Sequence, residues 1–77
     1  MSKLIGAWLY EQEDAERAPG WYAIALCWDP EEGTFPGADY WDGNEWTEGG
    51  PIIATSPGTL ASKFAADEWA RYHDVFR

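Results

Sequence analysis

Large aromatic side chains recur along the chain, and their density is the feature that most constrains its fold. The 77 residues include six Trp, four Tyr and three Phe. A domain of this size buries only about 60% of the surface that its unfolded chain exposes, so its core depends on large apolar groups. Disordered acidic chains are poor in aromatic residues. The sequence therefore predicts one folded domain over residues 1–77.

Two apolar stretches in the first third of the chain have the length of strands. Residues 3–10 carry large groups at both parities, which is typical of a central strand covered on both faces. Residues 21–28 alternate instead, with large side chains at the even positions and Ala23, Ala25 and Cys27 at odd ones. Since successive side chains point to opposite faces, we expect one face of this strand to pack a core. The small face would let another group lie close.

Turn residues divide the middle of the chain. Asp29-Pro30-Glu31-Glu32-Gly33 predicts a turn, since Pro presets φ and Gly closes the turn. Residues 38–42 form a third predicted strand, and Asp42-Gly43 is a hairpin signal that predicts a short return strand over residues 45–47. Residues 52–54 read either as a further strand or as a buried connection.

A single amphipathic segment follows near the end of the chain. The spacing predicts a helix over residues 59–73, with Ser56 or Thr59 as its N-cap. Its expected apolar face consists of Leu60, Ala61, Phe64, Ala65, Trp69, Tyr72 and Phe76. The predicted fold class is therefore α+β, with an antiparallel sheet of three or four strands and one C-terminal helix packed on a face.

The negative charge is concentrated in one part of the sequence. The formal net charge is −9, and residues 11–48 hold eleven of the fourteen acids against one base, Arg17, which gives this segment a charge of −10. Such a surface repels nucleic acid and anionic membranes and attracts basic proteins. We predict that these acids bind a protein partner: Glu11, Glu13, Asp14, Glu16, Asp29, Glu31, Glu32, Asp39, Asp42, Glu45 and Glu48. The alternative is that the acids serve solubility alone.

The residues that catalysis would need are sparse. The one histidine is His73 and the one cysteine is Cys27, and neither has a recognisable catalytic motif around it. Residues 39–45 place oxygen ligands around a Gly, but their spacing does not match that of a calcium loop. We therefore predict a protein that is not an enzyme and that binds no metal or cofactor. The single cysteine and the absence of a signal-peptide pattern favour a cytoplasmic location.

The tryptophans suggest a different kind of function. Trp21 and Trp41 have the opposite parity to the large residues of their predicted strands, which makes them candidates for exposure. An exposed Trp anchors interfaces or stacks on sugars. A carbohydrate-binding module that uses Trp41 and Trp46 is therefore an alternative function, and a structural or assembly protein of a phage is another.

The chain resembles the small acidic anti-CRISPR proteins encoded by phages. The resemblance is one of type: fewer than a hundred residues, one domain, high acid content and abundant aromatic residues. In addition, Tyr40-Trp41-Asp42-Gly43-Asn44-Glu45-Trp46 is similar to a pattern in small phage proteins of unknown function. The resemblance implies an inhibitor in the cytoplasm of a host bacterium. Such an inhibitor would bind a Cas subunit, in a type I surveillance complex, and block target or PAM DNA by presenting carboxylates where phosphates would lie.

Overall fold

The computed structural model describes residues 8–11 and 16–73. Four strands and one helix follow one another in this part of the chain: β1 Leu9–Tyr10, β2 Gly20–Asp29, β3 Gly33–Trp41, β4 Ile52–Thr55 and α1 Lys63–Tyr72. The strands form one sheet in the order β1-β4-β2-β3, and every neighbouring pair is antiparallel. This arrangement confirms the predicted α+β fold, with its antiparallel sheet and single C-terminal helix.

The alternation of large and small residues in β2 determines where the helix packs. Ala23 and Ala25 lie on one face of the strand with almost no exposed surface, and α1 crosses β2 and β3 on this side. Ala54 of β4, Ala70 of α1 and Trp8 join them in one buried cluster. The small face of β2 therefore lets the helix backbone approach the sheet closely. We call this side of the sheet the helix face and the opposite side the outer face.

The first strand differs from its prediction. Leu9 and Tyr10 form a two-residue strand at the edge of the sheet, and both side chains are exposed by more than a third. A central position was predicted because the apolar run continues on both parities, but β4 lies between β1 and β2 and takes that position. Residues 3–7 of the predicted strand lie outside the described residues. Trp8 is the fully buried residue here, at 1% exposure.

The predicted turn at Asp29 joins β2 to β3. The Glu32 amide donates to the Asp29 carbonyl at 2.9 Å, and the Glu31 amide donates to the Asp29 side chain at 2.9 Å. Gly33 follows with φ 87°, a left-handed conformation that closes a three-residue hairpin loop. Because pairing starts at once after this turn, β3 begins at Gly33, five residues before the predicted start at residue 38.

The predicted return strand at residues 45–47 is reduced to one isolated bridge between Trp41 and Trp46. The Thr47 amide still donates to the Tyr40 carbonyl at 3.0 Å, but the chain then leaves the edge of the sheet. Residues 42–51 cross the outer face and reach β2 at its far end, where the Cys27 amide donates to the Pro51 carbonyl at 3.0 Å. The next stretch, Ile52–Thr55, is a strand rather than a buried connection.

The helix begins later than the sequence indicates, and its N-cap is Ser62 rather than Ser56 or Thr59. The Ser62 side chain accepts a hydrogen bond from the Ala65 amide. Leu60 pairs with Trp21 as an isolated bridge, and this holds the chain extended past the predicted start. Ser56 is 2% exposed and instead hydrogen-bonds the backbone of Ala23 through both its amide and its hydroxyl.

The buried side of α1 is also different from the predicted one. Ala66 and Ala70 are fully buried, whereas Phe64 and Tyr72 are 74% and 83% exposed. The sheet below presents alanines, so the helix turns its smallest residues inward. Trp69 then packs edge-on against Trp8, with ring centroids 5.0 Å apart, and the Trp8 indole donates to the His73 carbonyl. Phe76, the last residue of the predicted face, lies outside the described residues.

Candidate protein-binding surface

Apart from Glu16, the exposed acids that the structure describes within residues 11–48 lie at the two ends of the β2–β3 hairpin and on the loop between β3 and β4. Asp29, Glu31 and Glu32 surround the hairpin turn, and all three are exposed. Asp42 and Glu45 are exposed at the opposite end, after Trp41. Glu48 is exposed on the part of the loop that crosses the outer face. The eight intervals from Gly33 to Trp41 put the two ends about 26 Å apart.

The remaining predicted contact residues lie between β1 and β2 in the sequence and differ in exposure. Glu16 is exposed, and Glu11 is partly buried in an ion pair with Arg17. Glu13 and Asp14 lie outside the described residues.

Asp39 is a structural carboxylate rather than a surface charge. It is 2% exposed, and its oxygens accept hydrogen bonds from the Tyr40, Glu48 and Gly49 amides. These bonds fasten the crossing loop to the outer face of β3. A buried carboxylate with amide donors on both oxygens has no free surface to offer a partner, so Asp39 belongs to the support of the acidic surface.

Asp42 is exposed and organises its own turn. Its Oδ1 accepts hydrogen bonds from the Asn44 and Glu45 amides at 2.7 and 2.8 Å. These amides, that of Glu45 first, hold the pKa of Asp42 below its ordinary value of 3.8, because they favour the charged form. The carboxylate is therefore ionised at neutral pH and fixes the acidic end of the hairpin.

The one base of the acidic segment is turned inward. The Arg17 side chain is 10% exposed and pairs with Glu11 at 2.8 Å. Its guanidinium carbon lies 5.0 Å from the ring centroids of both Trp41 and Trp46, within range of a cation–π interaction. Arg17 therefore contributes to packing and does little to reduce the negative surface charge.

The exposure of the tryptophans bears on the alternative function, a carbohydrate-binding module. Trp41 and Trp46 are partly buried and pack edge-on at 5.1 Å, so these rings do not form an open sugar platform. Trp21 is also partly buried and packs against Tyr40. The exposed tryptophan is Trp28, at 67%. Its even parity in β2 predicted a core position, and the sequence offers no signal that the sheet is left uncovered at this end.

The candidate nucleophile and base have structural contacts. Cys27 is a partly buried free thiol in β2, and its amide pairs with Pro51. His73 ends α1, with its ring centroid 4.2 Å from that of Trp69. In the described part of the chain, no three His, Cys, Asp or Glu side chains are grouped as a metal site would require. Within the same ranges, α1 is too short and too polar to cross a membrane.

Comparison with known proteins adds no relative. Family models, curated proteins and solved structures were each compared with the chain, and none of them matches it.

Proposed function

We propose that the protein binds a basic, nucleic-acid-binding surface on another protein and keeps the nucleic acid away from it. The observation that carries this proposal is the set of exposed carboxylates that no cation pairs with in the described part of the chain. In residues 8–11 and 16–73 the ion pairs are Arg17 with Glu11 and Arg71 with Asp67. The acids of both hairpin ends are outside these pairs.

The spacing of the acids supports a nucleic-acid mimic. Along one strand of duplex DNA, successive phosphates advance by about 3.4 Å of helix axis. The separation of about 26 Å between the hairpin ends is therefore the length of about eight base pairs. It also exceeds the Debye length of about 8 Å at physiological salt. The two ends thus act as separate acidic patches, with Glu48 between them, and a mimic of this kind would replace phosphates at two places along the duplex rather than along its whole backbone.

A Cas subunit of a type I surveillance complex is the partner that the resemblance names, and it gives the first test. We would measure the affinity of such a complex for its target DNA with and without the protein, over a series of salt concentrations. We expect weaker DNA binding in the presence of the protein and less inhibition at higher salt. Unchanged DNA affinity at low salt would contradict the proposal for that complex.

The structure selects the variants for this test. Glu31→Lys with Glu32→Lys changes the charge of the first patch from −3 to +1. Glu45→Lys with Glu48→Lys neutralises the other patch, where Asp42 is kept, and reverses the charge on the crossing loop. Asp39 and Asp42 are avoided, since reversing either would disturb backbone hydrogen bonds rather than only the charge. Glu68→Lys, at an exposed position of α1, is the control for a charge reversal outside the patches, with half the charge change of either double variant. Equal inhibition by all three variants would exclude the two patches as the contact.

A further inference from the structure

An open cavity lies on the outer face of the sheet, between Trp28 and the crossing loop. It has a volume of about 270 Å³, with Ile24, Leu26 and Gly37 at its floor and residues 48–50 along one wall. Pockets that hold drug-sized ligands usually measure about 300–1,000 Å³, so this cavity suits a single side chain. We call it the Trp28 groove.

Two glycines keep the groove open. Gly37 lies opposite Ile24 in the β2–β3 ladder, and a Cβ added there would point at Ile24 and Leu26 from 3.6 and 3.7 Å. A Cβ at Gly50 would lie 3.4 Å from Leu26 and 3.7 Å from Trp28. Any side chain at either position would therefore occupy space beside the apolar floor.

The apolar surface extends beyond the cavity. Trp28 is 67% exposed, and Phe35, which pairs with Leu26 on the same face of the sheet, is 44% exposed. The described chain covers the outer face near Tyr22 and Asp39 but leaves this end of the hairpin open. Large exposed aromatic residues beside a cavity are typical of the anchor points of protein interfaces.

Charge determines which partner fits the groove. Asp29 directly follows Trp28, Glu31 and Glu32 belong to the same turn, and Glu48 lines the cavity itself. A second copy of the chain would bring an identical acidic rim against this one, and a nucleic acid would meet the same repulsion. A basic segment with an apolar side chain complements both the floor and the rim.

We propose that the Trp28 groove receives one apolar side chain of the basic partner, while flanking Lys or Arg residues of that partner contact Glu31, Glu32 and Glu48. This inference rests on the proposed function and deepens it, because it gives the acidic surface an apolar anchor. A mimic of this kind is bound through buried apolar area as well as charge. Its affinity therefore retains a component that salt does not screen.

The test uses the whole protein and two synthetic peptides, Lys-Arg-Phe-Arg-Lys and Lys-Arg-Ser-Arg-Lys, followed by the backbone amide signals in NMR spectra. We expect the Phe peptide to bind at least about tenfold more tightly, since it buries an aromatic ring. Its largest shifts should fall on Leu26, Gly37 and Gly50. Gly37→Val should fill the groove and remove the preference for Phe while leaving the Ser peptide unaffected.

Equal affinity for the two peptides, binding of neither, or shifts away from the groove would each overturn the inference, as would self-association of the protein through this face. The DNA-competition assay separates this failure from that of the proposed function. If Gly37→Val inhibits DNA binding as the wild type does, while the charge-reversal variants do not, the groove inference is wrong and the proposed function stands. If the wild type itself never inhibits, the proposed function fails for that complex and the peptides still decide about the groove.

Discussion

At the scale of single residues, the buried side chain of Tyr22 contacts two loops that carry acidic residues. Tyr22 is 4% exposed, and its hydroxyl donates to the Ala18 carbonyl at 2.6 Å. Its ring packs edge-on against Trp46, with the Arg17 guanidinium 5.9 Å from its centroid. One side chain of β2 thus holds the loop that carries Glu16 and Arg17 and the loop that carries Glu45.

The pKa of Tyr22 predicts how stability depends on pH. Burial raises this pKa above its ordinary value of 10.0, and the charge of Arg17 opposes the rise less strongly. Because the folded state holds the proton more tightly, the stabilisation is complete below pH 10.0 and is lost as the pH rises through the higher folded pKa. Tyr22→Phe removes the hydrogen bond to Ala18, so we expect its free energy of unfolding to be about 0.5–1.5 kcal/mol lower than that of the wild type at pH 7. Between pH 10 and 11, this free energy should fall less steeply in the variant than in the wild type.

Urea unfolding followed by circular dichroism between pH 7 and 11 measures both effects. The exposed Tyr72→Phe serves as the control, because Tyr72 is 83% exposed. If the free energy of unfolding fell with pH equally steeply in Tyr22→Phe and the wild type, Tyr22 would not be the source of the loss of stability in alkali.

At the scale of elements, the contact between α1 and the sheet depends on small residues. Ala70 packs in the core cluster with Ala23, Ala25 and Ala54, and Ala66 is fully buried about one turn earlier on the helix. Because protein interiors are close-packed, a longer side chain at either helix position would be overpacked. We expect Ala66→Leu to destabilise the protein by about 1–3 kcal/mol, through overpacking. Phe64→Ala should change stability by about 0.5 kcal/mol or less, because Phe64 is 74% exposed.

The free energy of unfolding of the two variants, measured with urea, distinguishes the observed buried face of α1 from the one that the sequence predicts. If Phe64 belonged to the core, Phe64→Ala would cost about 3–5 kcal/mol, and the order of the two variants would be reversed.

The same element shows what sequence reasoning can reach. The turn from Asp29 to Gly33 and the alternation in β2 were predictable because each depends on a few adjacent residues. The buried face of α1 was not, since it is determined by alanines of strands that lie more than ten residues away in the sequence. The edge position of β1 likewise depends on the insertion of β4, a pairing between distant segments.

In the candidate site, too, some features depend on adjacent residues and others on contacts between distant parts of the chain. The exposed acids of the two hairpin ends follow from turn chemistry, which places polar residues at the surface. The sequence around Asp39 resembles that around the exposed acids, so it does not predict burial. The carboxylate is buried because the Glu48 and Gly49 amides, nine and ten residues further along the chain, donate hydrogen bonds to it. The exposure of Trp28 is equally non-local, because it depends on how far the crossing loop extends over the outer face.

At the scale of the whole molecule, the formal net charge of −9 opposes the compact state, because folding brings like charges together. Two carboxylates about 7 Å apart in water repel each other by about 0.6 kcal/mol. Asp29, Glu31 and Glu32 are held in a single turn, but they are neighbours in the unfolded chain as well, so folding adds only part of this repulsion, on the order of 1 kcal/mol at most, and added salt screens it. We therefore expect the melting temperature to rise between 10 mM and 500 mM NaCl, by about 4–8 °C for each 1 kcal/mol recovered.

The Glu31→Lys, Glu32→Lys variant should melt higher than the wild type at low salt and respond less to NaCl, whereas the Arg71→Ala control should respond as the wild type does. A wild-type melting temperature that falls or stays constant over this range would show that the acidic ends of the hairpin impose no cost on folding, and that the charge is held at distances where solvent already screens it.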